Sequence, residues 1–193
     1  MRKLKLQVQI SIDGFIADKD GKTNWMIWNW NEDWNWDKEL KKYFNDLTTN
    51  VDCVLLSRKM AAEGFINHWK NVAQNPAPSY DFARKITDAK KVVFTKTLET
   101  AEWDNTVLAK DELTDEIDLL KKAEGKDLIA YGGASFVSSL IQNELIDEYY
   151  LFINPVVLGK GLSIFNSIDK NLNLKLVAAI NFECGVTVLH YRI

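Results

Sequence analysis

Two adjacent glycines, Gly132 and Gly133, are the residues whose type and spacing most clearly suggest chemistry. They stand between an apolar run at 127–131 and a segment from about Ala134 in which apolar residues recur at helical spacing. Paired glycines open backbone conformations closed to other residues and let a ligand approach without a Cβ in the way. The predicted helix N-terminus presents free N–H groups and the positive end of a dipole, which favour a phosphate, and Ser135 adds a hydroxyl. The sequence therefore predicts a strand–turn–helix unit that either binds phosphate or only joins two elements.

Composition excludes several other classes of protein. The 193 residues carry a net charge of −3, which gives no basic field for nucleic acid. No apolar run approaches the roughly 20 residues of a membrane span, and the N-terminus has no apolar signal core. Two cysteines and two histidines, far apart in sequence, predict neither a disulfide framework nor a metal site. Neither GxGxxG nor GxxxxGK(S/T) occurs. We expect one cytoplasmic domain spanning 1–193.

The hydrophobic pattern alternates strands with helices in the front of the chain and favours strands at the back. Strands are predicted at 3–12, 51–56, 92–94, 107–109, 127–131, 146–158, 174–179 and 186–193. Helices are predicted from about 37, at 61–69, from 79, at 114–124 and from 134. This pattern is typical of a three-layer α/β/α domain with a mostly parallel central sheet and antiparallel C-terminal strands.

In open sheets of this kind, ligands bind beyond the carboxyl ends of the strands. Four segments follow predicted strands in this way, at 13–17, 57–60, 95–97 and 131–135. Their basic residues either approach bound phosphates or are solvated surface charges. These are Arg58, Lys59 and Lys96.

Five tryptophans crowd the predicted loop at 24–36, namely Trp25, Trp28, Trp30, Trp34 and Trp36. They either form an aromatic wall that stacks a flat heterocycle or pack as a lid on the core or as a subunit interface. The segment 149–155 is more apolar than one buried face requires. It therefore predicts a homodimer contact.

The order of these segments resembles the dihydrofolate reductase-like fold, in particular the bacterial RibD C-terminal domain family, the reductase domain of riboflavin biosynthesis. The resemblance covers nearly the whole chain. Its parts lie at 11–17, 52–59, 92–95, 103–106, 131–135, 145–149 and 155–165, and the last is the most specific. It implies an NADPH-dependent reductase.

The resemblance also implies roles for individual residues. The pyrophosphate would be held by Gly132, Gly133, Ala134, Ser135 and Phe136, with Tyr131 beside them. The same cofactor would be bound by Leu56, Ser57, Arg58 and Lys59. Its adenosine end would lie near Thr95 and Lys96, and its nicotinamide would contact Ala17. The substrate would meet Trp25, Trp28 and Tyr131.

Some residues depart from the family pattern. Ser57 stands where a glycine is usual, and Met60, where a threonine is usual, cannot supply a hydroxyl. Tyr131 replaces the glutamate of the riboflavin enzymes, which argues against their ribosylamino-pyrimidine substrate. Dihydrofolate reductases carry an acid on the first long helix, and the nearest here, Asp37, is better placed to start that helix. Asp13 remains as the catalytic candidate: it either orients the substrate or a proton-donating water or only forms a turn.

The leading hypothesis is hydride transfer from NADPH to a conjugated C=N or C=O group of a small heterocycle of pterin or pyrimidine type. The alternative is a non-catalytic nucleotide- or ligand-binding module on the same fold. A purely structural dimer built on the late strands is a third hypothesis.

Overall fold

The computed structural model describes residues 1–27, 36–77 and 80–193. The substrate candidate Trp28, the loop tryptophans Trp30 and Trp34, and Ser79, at which a helix is predicted to begin, therefore lie outside the described residues.

Strands and helices are interspersed up to Gln142, and the described elements after it are strands. The strands are β1 (Leu4–Ile10), β2 (Phe15–Asp18), β3 (Val51–Ser57), β4 (Lys90–Phe94), β5 (Thr106–Ala109), β6 (Asp127–Tyr131), β7 (Glu148–Ile153), β8 (Gly161–Ser163), β9 (Lys175–Asn181) and β10 (Thr187–Arg192). The helices are α1 (Lys38–Thr49), α2 (Arg58–Ala62), α3 (Phe65–Val72), α4 (Asp81–Asp88), α5 (Leu113–Lys122) and α6 (Ala134–Gln142). None of the helices in the described ranges is long and apolar enough to cross a bilayer.

The main sheet has the order β5-β4-β3-β6-β1-β7-β10-β9. Its strands from β5 to β7 pair in parallel, whereas β10 pairs antiparallel with both β7 and β9 at one edge. A separate antiparallel pair joins β2 to β8. Helices cover both faces of the main sheet, so the predicted three-layer α/β/α class with antiparallel C-terminal strands is confirmed.

Two apolar cores lie on opposite faces of the sheet. Helices α1, α3 and α4 close one core, in which Phe44, Phe82 and Phe152 are almost fully buried. Helices α5 and α6 close the other, around residues such as Ile117 and Leu140. Central parallel strands buried on both faces are usually apolar on both, which explains the near-continuous apolar runs of β3, β4 and β6.

The central strand β1 is the exception to this rule. Leu4, Leu6, Val8 and Ile10 enter the core under α5 and α6, while the alternate positions are polar and buried as well. Those alternate residues are Lys5, Gln7 and Gln9, each 7% exposed. Strict alternation of polar and apolar residues usually indicates a strand with one solvent-exposed face, whereas both faces of β1 are buried.

The structure corrects two predicted elements. The strand predicted at 146–158 spans only Glu148–Ile153, because the chain turns after Asn154, where Val156 N donates back to Asn154 O (2.8 Å). The helix predicted at 61–69 is two helices, α2 and α3. They are divided at Gly64, whose φ of +101° no helix accommodates.

The apolar excess at 149–155 is used inside the chain. Strand β7 lies between β1 and β10, and Tyr149, Tyr150, Leu151 and Phe152 are all buried. The burial of these four side chains accounts for much of the apolar excess within the chain itself. The homodimer expected from this segment remains a prediction.

Candidate functional site

A cleft of about 450 Å³ opens at the carboxyl ends of β3 and β6 and along the second half of β1. This is the edge of the sheet where the sequence predicts a ligand. Nine of the residues singled out from the sequence line it, namely Ala17, Ser57, Lys59, Tyr131, Gly132, Gly133, Ala134, Ser135 and Phe136. The structure thus brings together segments that are far apart in the chain.

The glycine pair closes one end of the cleft. Gly132 and Gly133 have φ angles of +45° and +82°, in the region that favours glycine. A Cβ on Gly132 would stand 1.8 Å from Cε of Met60, and one on Gly133 would stand 2.7 Å from Oγ of Ser57. The backbone conformation therefore favours glycine at both positions. At Gly133 the close packing against Ser57 adds to this preference, whereas the terminal methyl of Met60 could move away from a side chain at position 132.

Helix α6 begins immediately after the pair, at Ala134. Its first intrahelical bond runs from Val137 N to Gly133 O (2.9 Å), and no side chain in the described part of the protein caps this terminus. The N–H groups of the first turn are consequently available to an anion in the cleft, with the helix dipole in their favour. Ser135 is exposed at this terminus, where its hydroxyl can join them.

Ser57 faces the glycine pair from the end of β3. Its Oγ accepts the N–H of Met60 (3.1 Å) and so caps α2. The hydroxyl hydrogen is still able to donate into the cleft. Ser57 therefore caps α2 and also presents a hydrogen-bond donor to the cleft.

The described lining carries charge in two places, both at the rim. Lys59 Nζ and Glu63 Oε1 lie 3.6 Å apart on exposed side chains one helical turn apart. Such a solvated pair holds its partners weakly, so Lys59 can turn to a phosphate at little cost.

The floor of the cleft is aromatic and apolar. The rings of Phe65 and Tyr131 lie 5.2 Å apart at 37°, and Met26, Met60 and Ile16 extend this lining. The Tyr131 hydroxyl is buried and has no hydrogen-bond partner in the described part of the chain. Burial raises the pKa of Tyr131, so the phenol stays protonated and acts as a hydrogen-bonding group.

Several residues expected at the site do not line the cleft. Leu56 is fully buried. Thr95 Oγ1 accepts the N–H groups of Thr97 and Leu98 (both 3.1 Å) and so caps a turn. Lys96 Nζ donates to the carbonyls of Lys110 and Asp111 (2.9 and 3.1 Å), and it also bonds Glu112.

Two more candidates among the cleft residues expected from sequence also lie outside the lining. Arg58 is exposed, with no ion pair inside the described ranges. Trp25 donates from Nε1 to Lys22 O (3.1 Å). Trp36 is 4% exposed and stacks on Phe152 with the ring centres 5.5 Å apart, as expected of a tryptophan that packs on the core.

The Asp13 carboxylate accepts hydrogen bonds from one hydroxyl and from two backbone N–H groups. It accepts the Ser11 hydroxyl (2.6 Å) and the N–H groups of Leu158 (3.1 Å) and Gly159 (2.7 Å). The Ser11 hydroxyl and then these N–H groups lower the pKa of Asp13. The carboxylate thus fastens the turn after β1 to the segment after β7 and lies outside the cleft lining.

Asp37 has the structural role predicted from sequence. It is the N-cap of α1, where its carboxylate accepts Leu40 N (2.8 Å) and Cys184 N (3.0 Å). Although burial alone would raise the pKa of Asp37, these N–H donors lower it. The residue lies in a separate depression of about 530 Å³ that contains none of the cleft residues.

Sequence reasoning missed part of the lining. Gln7 and Gln9 on β1, Met26, and Phe65 on α3 all face the cleft. The two glutamines were visible only as the polar half of an alternating strand, and Phe65 as one apolar residue of a helix. Neither pattern distinguishes a ligand-facing residue from a surface or core residue.

Comparison with known proteins agrees with this architecture. Residues 2–188 match the family described as the RibD C-terminal domain. The uncharacterized protein YyaP of Bacillus subtilis (strain 168) is 32% identical over 197 residues, covering 99% of this chain and 95% of YyaP.

Solved structures that share the fold include two reductases. One is the diaminohydroxyphosphoribosylaminopyrimidine deaminase/5-amino-6-(5-phosphoribosylamino)uracil reductase of Thermotoga maritima (TM-score 0.67, 17% identity); the match covers 99% of this chain and 56% of that protein. The other is Enterococcus faecalis dihydrofolate reductase with NADP(H) (TM-score 0.59, 16% identity, 98% and 95% covered). The chain therefore belongs to the RibD C-terminal domain family, a family of the reductase type.

Proposed function

We propose that this protein is an NADPH-dependent reductase that transfers a hydride to a small flat heterocycle of pterin or pyrimidine type. The observation that carries the proposal is a single cleft with two chemically different ends. One end is the uncapped N-terminus of α6 behind Gly132 and Gly133, and the other is the aromatic floor of Phe65 and Tyr131. A dinucleotide with a phosphate bridge and a reacting ring suits such a cleft.

The residues of the phosphate end fit NADPH. The N–H groups of α6, with the hydroxyls of Ser57 and Ser135, can donate to the pyrophosphate, and Lys59 adds a cation at the rim. When bound, NADPH supplies the hydride. The family relationship supports this assignment, since one relative of the same fold is named as a uracil reductase and another was solved with NADP(H).

The residues of the other end would bind the substrate ring and exclude water. Phe65 and Tyr131 offer aromatic faces, and Met26 and Met60 offer adaptable apolar surface. Among the described lining residues the carboxylate belongs to Glu63, which is exposed and beside Lys59. We infer that the proton comes from water at the mouth of the cleft, because no buried acid of the described lining is in place to donate it.

The same lack of an acid favours a second candidate, a binding module that holds the nucleotide without turnover. Two measurements on the purified protein separate the candidates. Calorimetry measures NADPH affinity, and the nicotinamide absorbance follows NADPH oxidation against a panel of pterins, pyrimidines and quinones. The reductase predicts saturable NADPH binding and steady oxidation with at least one compound. Binding without oxidation across the panel would favour the module, and no binding would reject both.

A further inference from the structure

The two edge strands of the main sheet differ in length and in charge. One edge is β5, a strand of four residues that is followed by the charged residues Lys110 and Asp111. The other edge is β9, a strand of seven residues whose outer side pairs with no other strand in the described part of the chain. Natural proteins usually keep an edge strand short or place charges and prolines on it, which prevents pairing with another chain. The short strand β5 follows this rule, whereas β9 is both longer and less charged.

Several apolar residues of β9 are exposed. Leu176 and Val177 are 52% and 49% exposed, and Ala179 is exposed as well. The strand contains no proline, and its one charged residue is Lys175 at the first position. At about 3.4 Å per residue, the outer edge of β9 is about 24 Å long. An exposed apolar edge of this length is a template on which another strand can pair.

The pairing with β10 shows which face of the sheet the residues of β9 occupy. Val188 and Arg192 are alternate residues of β10, and Val188 belongs to the core that α1 covers. They lie opposite Ile180 and Lys175, because the register of the pair steps over Val177. Lys175 and Ile180 therefore lie on the same face of the sheet, the face that α1 covers.

A depression of about 530 Å³ lies on this face, between α1 and the end of β9. Ile180, Asn181 and Phe182 contribute its β9 side. Its charged lining residues comprise four acids and two lysines, so the depression is negative. They are Asp37, Glu39, Asp46 and Glu183, with Lys38 and Lys42. Lys42 pairs with Asp46, whereas within the described ranges Glu39 and Glu183 form no ion pair.

Lys175 has the charge that this depression lacks, but it lies at the other end of its own strand. The residue is exposed, and it has no ion pair in the part of the chain that the structure describes. From Lys175 to Asn181 the strand rises by about 20 Å, which is farther than a lysine side chain reaches. A second copy, related by a two-fold axis through the middle of β9 and perpendicular to the sheet, would bring Lys175 of each copy to the depression of the other.

We propose that the outer edge of β9 is a homodimer contact, in which the β9 strands of two copies pair antiparallel and Lys175 of each copy enters the acidic depression of the other. The main-chain groups of both strands supply the hydrogen bonds, and Leu176, Val177 and Ala179 supply the apolar part. A second copy fits better than an unrelated strand, because one strand carries both the lysine and the acidic end that it matches. The contact lies two strands away from β7 and contains none of the residues that line the cleft, so it is independent of the proposed reductase function.

Sedimentation velocity of the full chain over a series of concentrations tests the contact. We expect the wild type to sediment as a dimer, with twice the monomer mass of 22.2 kDa. Val177→Lys should be a monomer at the same concentrations, because the two introduced ammonium groups would meet near the two-fold axis. Val107→Lys is the matched control, since Val107 is 44% exposed on the opposite edge strand β5, and it should remain a dimer.

Exchanging the charges tests the arrangement of the two strands. Lys175→Glu and Glu183→Lys should each weaken the dimer about tenfold, since each change is repeated by the two-fold axis. The double variant Lys175→Glu/Glu183→Lys restores opposite charges and should recover most of the wild-type affinity. Recovery requires that the two side chains meet between copies, because they lie at opposite ends of β9 within one copy.

Three results would overturn the proposal. A wild type that stays monomeric throughout the series would reject a second copy as the occupant of this edge. A dimer that Val177→Lys leaves intact, or that Val107→Lys weakens equally, would place the contact elsewhere. A double variant as weak as the single ones would reject the antiparallel arrangement. NADPH calorimetry on the same variants should give the wild-type affinity, so failure of the dimer and failure of the reductase are separate results.

Discussion

A negative charge at Ser135 should have opposite effects on folding and on cofactor binding. Ser135 lies in the first turn of α6, its side chain is exposed, and the terminus is uncapped in the described structure. In Ser135→Glu the carboxylate meets the positive end of the helix dipole, which should stabilise the fold by about 0.3–1 kcal/mol. The same carboxylate would stand where we place the pyrophosphate and would repel it.

The size of that repulsion follows from the exposure of the site. Two unit charges about 4 Å apart interact by about 1 kcal/mol in water and by about 4 kcal/mol at an effective dielectric constant near 20. Since Ser135 is exposed, the effect should lie toward the lower value, about 1.4 kcal/mol or a tenfold weaker NADPH affinity. Ser135→Gln is the matched control because it has the same size and no charge.

The assay combines thermal unfolding with NADPH calorimetry at low and moderate salt. We expect Ser135→Glu to unfold at a higher temperature than the wild type and to bind NADPH about tenfold more weakly, with the loss shrinking as salt screens the charges. Ser135→Gln should lie close to the wild type in both measurements. Equal NADPH affinities for the Glu and Gln variants would refute a phosphate site at the start of α6.

Three further predictions concern residues around the cleft and the core. Arg58→Ala should weaken NADPH binding about fivefold and leave NADH binding unchanged, because the exposed Arg58 can approach the 2′-phosphate that NADPH carries and NADH lacks. Lys96→Ala should change neither affinity, because the Lys96 ammonium already donates to backbone carbonyls. Equal losses for both nucleotides in direct titrations would mean that Arg58 does not recognise the 2′-phosphate. Asp37→Ala should lower the free energy of unfolding by about 1 kcal/mol through loss of the N-cap, without changing NADPH affinity. Denaturant titration measures this change, and a free energy of unfolding equal to that of the wild type would contradict the prediction. Burial lowers the pKa of His190 despite the opposing charge of Glu148. As the pH drops below about 6.5, the unfolded chain therefore binds a proton before the folded one does, and the free energy of unfolding should fall. His190→Phe can keep the stacking on Tyr150 and should flatten that part of the stability profile, and an unchanged slope in this variant would contradict the role of His190.

Much of the fold could be predicted from the sequence, because many of its strands and helices produce patterns of residues that are close together in the chain. The apolar run, the glycine pair and the helix of 127–142 are adjacent in the chain, and so are the alternating residues of β9 and β10. The sequence could not show that the polar face of β1 is buried, since Gln7 and Gln9 alternate with apolar residues as they would on a solvent-exposed strand. The backbone N–H groups that bind Asp13, those of Leu158 and Gly159, are about 145 residues away along the chain, beyond the reach of any local pattern.

The sequence also could not show why β7 is apolar on both faces. Tyr150 and Phe152 are buried because β7 is an inner strand between β1 and β10. A strand pattern alone does not distinguish an inner strand of a sheet from a strand at a subunit interface. The cleft was predicted more fully where the residues follow parallel strands, since the topology brings such ends together. No comparable rule predicts which side chains of α3 or of the middle of β1 line the cleft.

The most direct test of the account is a calorimetric titration of NADPH into the wild type and into Gly133→Val. Gly133 has a φ of +82°, and a Cβ there would meet Ser57 at 2.7 Å, so a β-branched side chain must distort the turn that presents α6 to the cleft. With circular dichroism showing that the variant keeps its secondary structure, the account predicts saturable one-to-one binding by the wild type and none by the variant. No saturable binding by the wild type, or equal binding by a folded Gly133→Val, would contradict it.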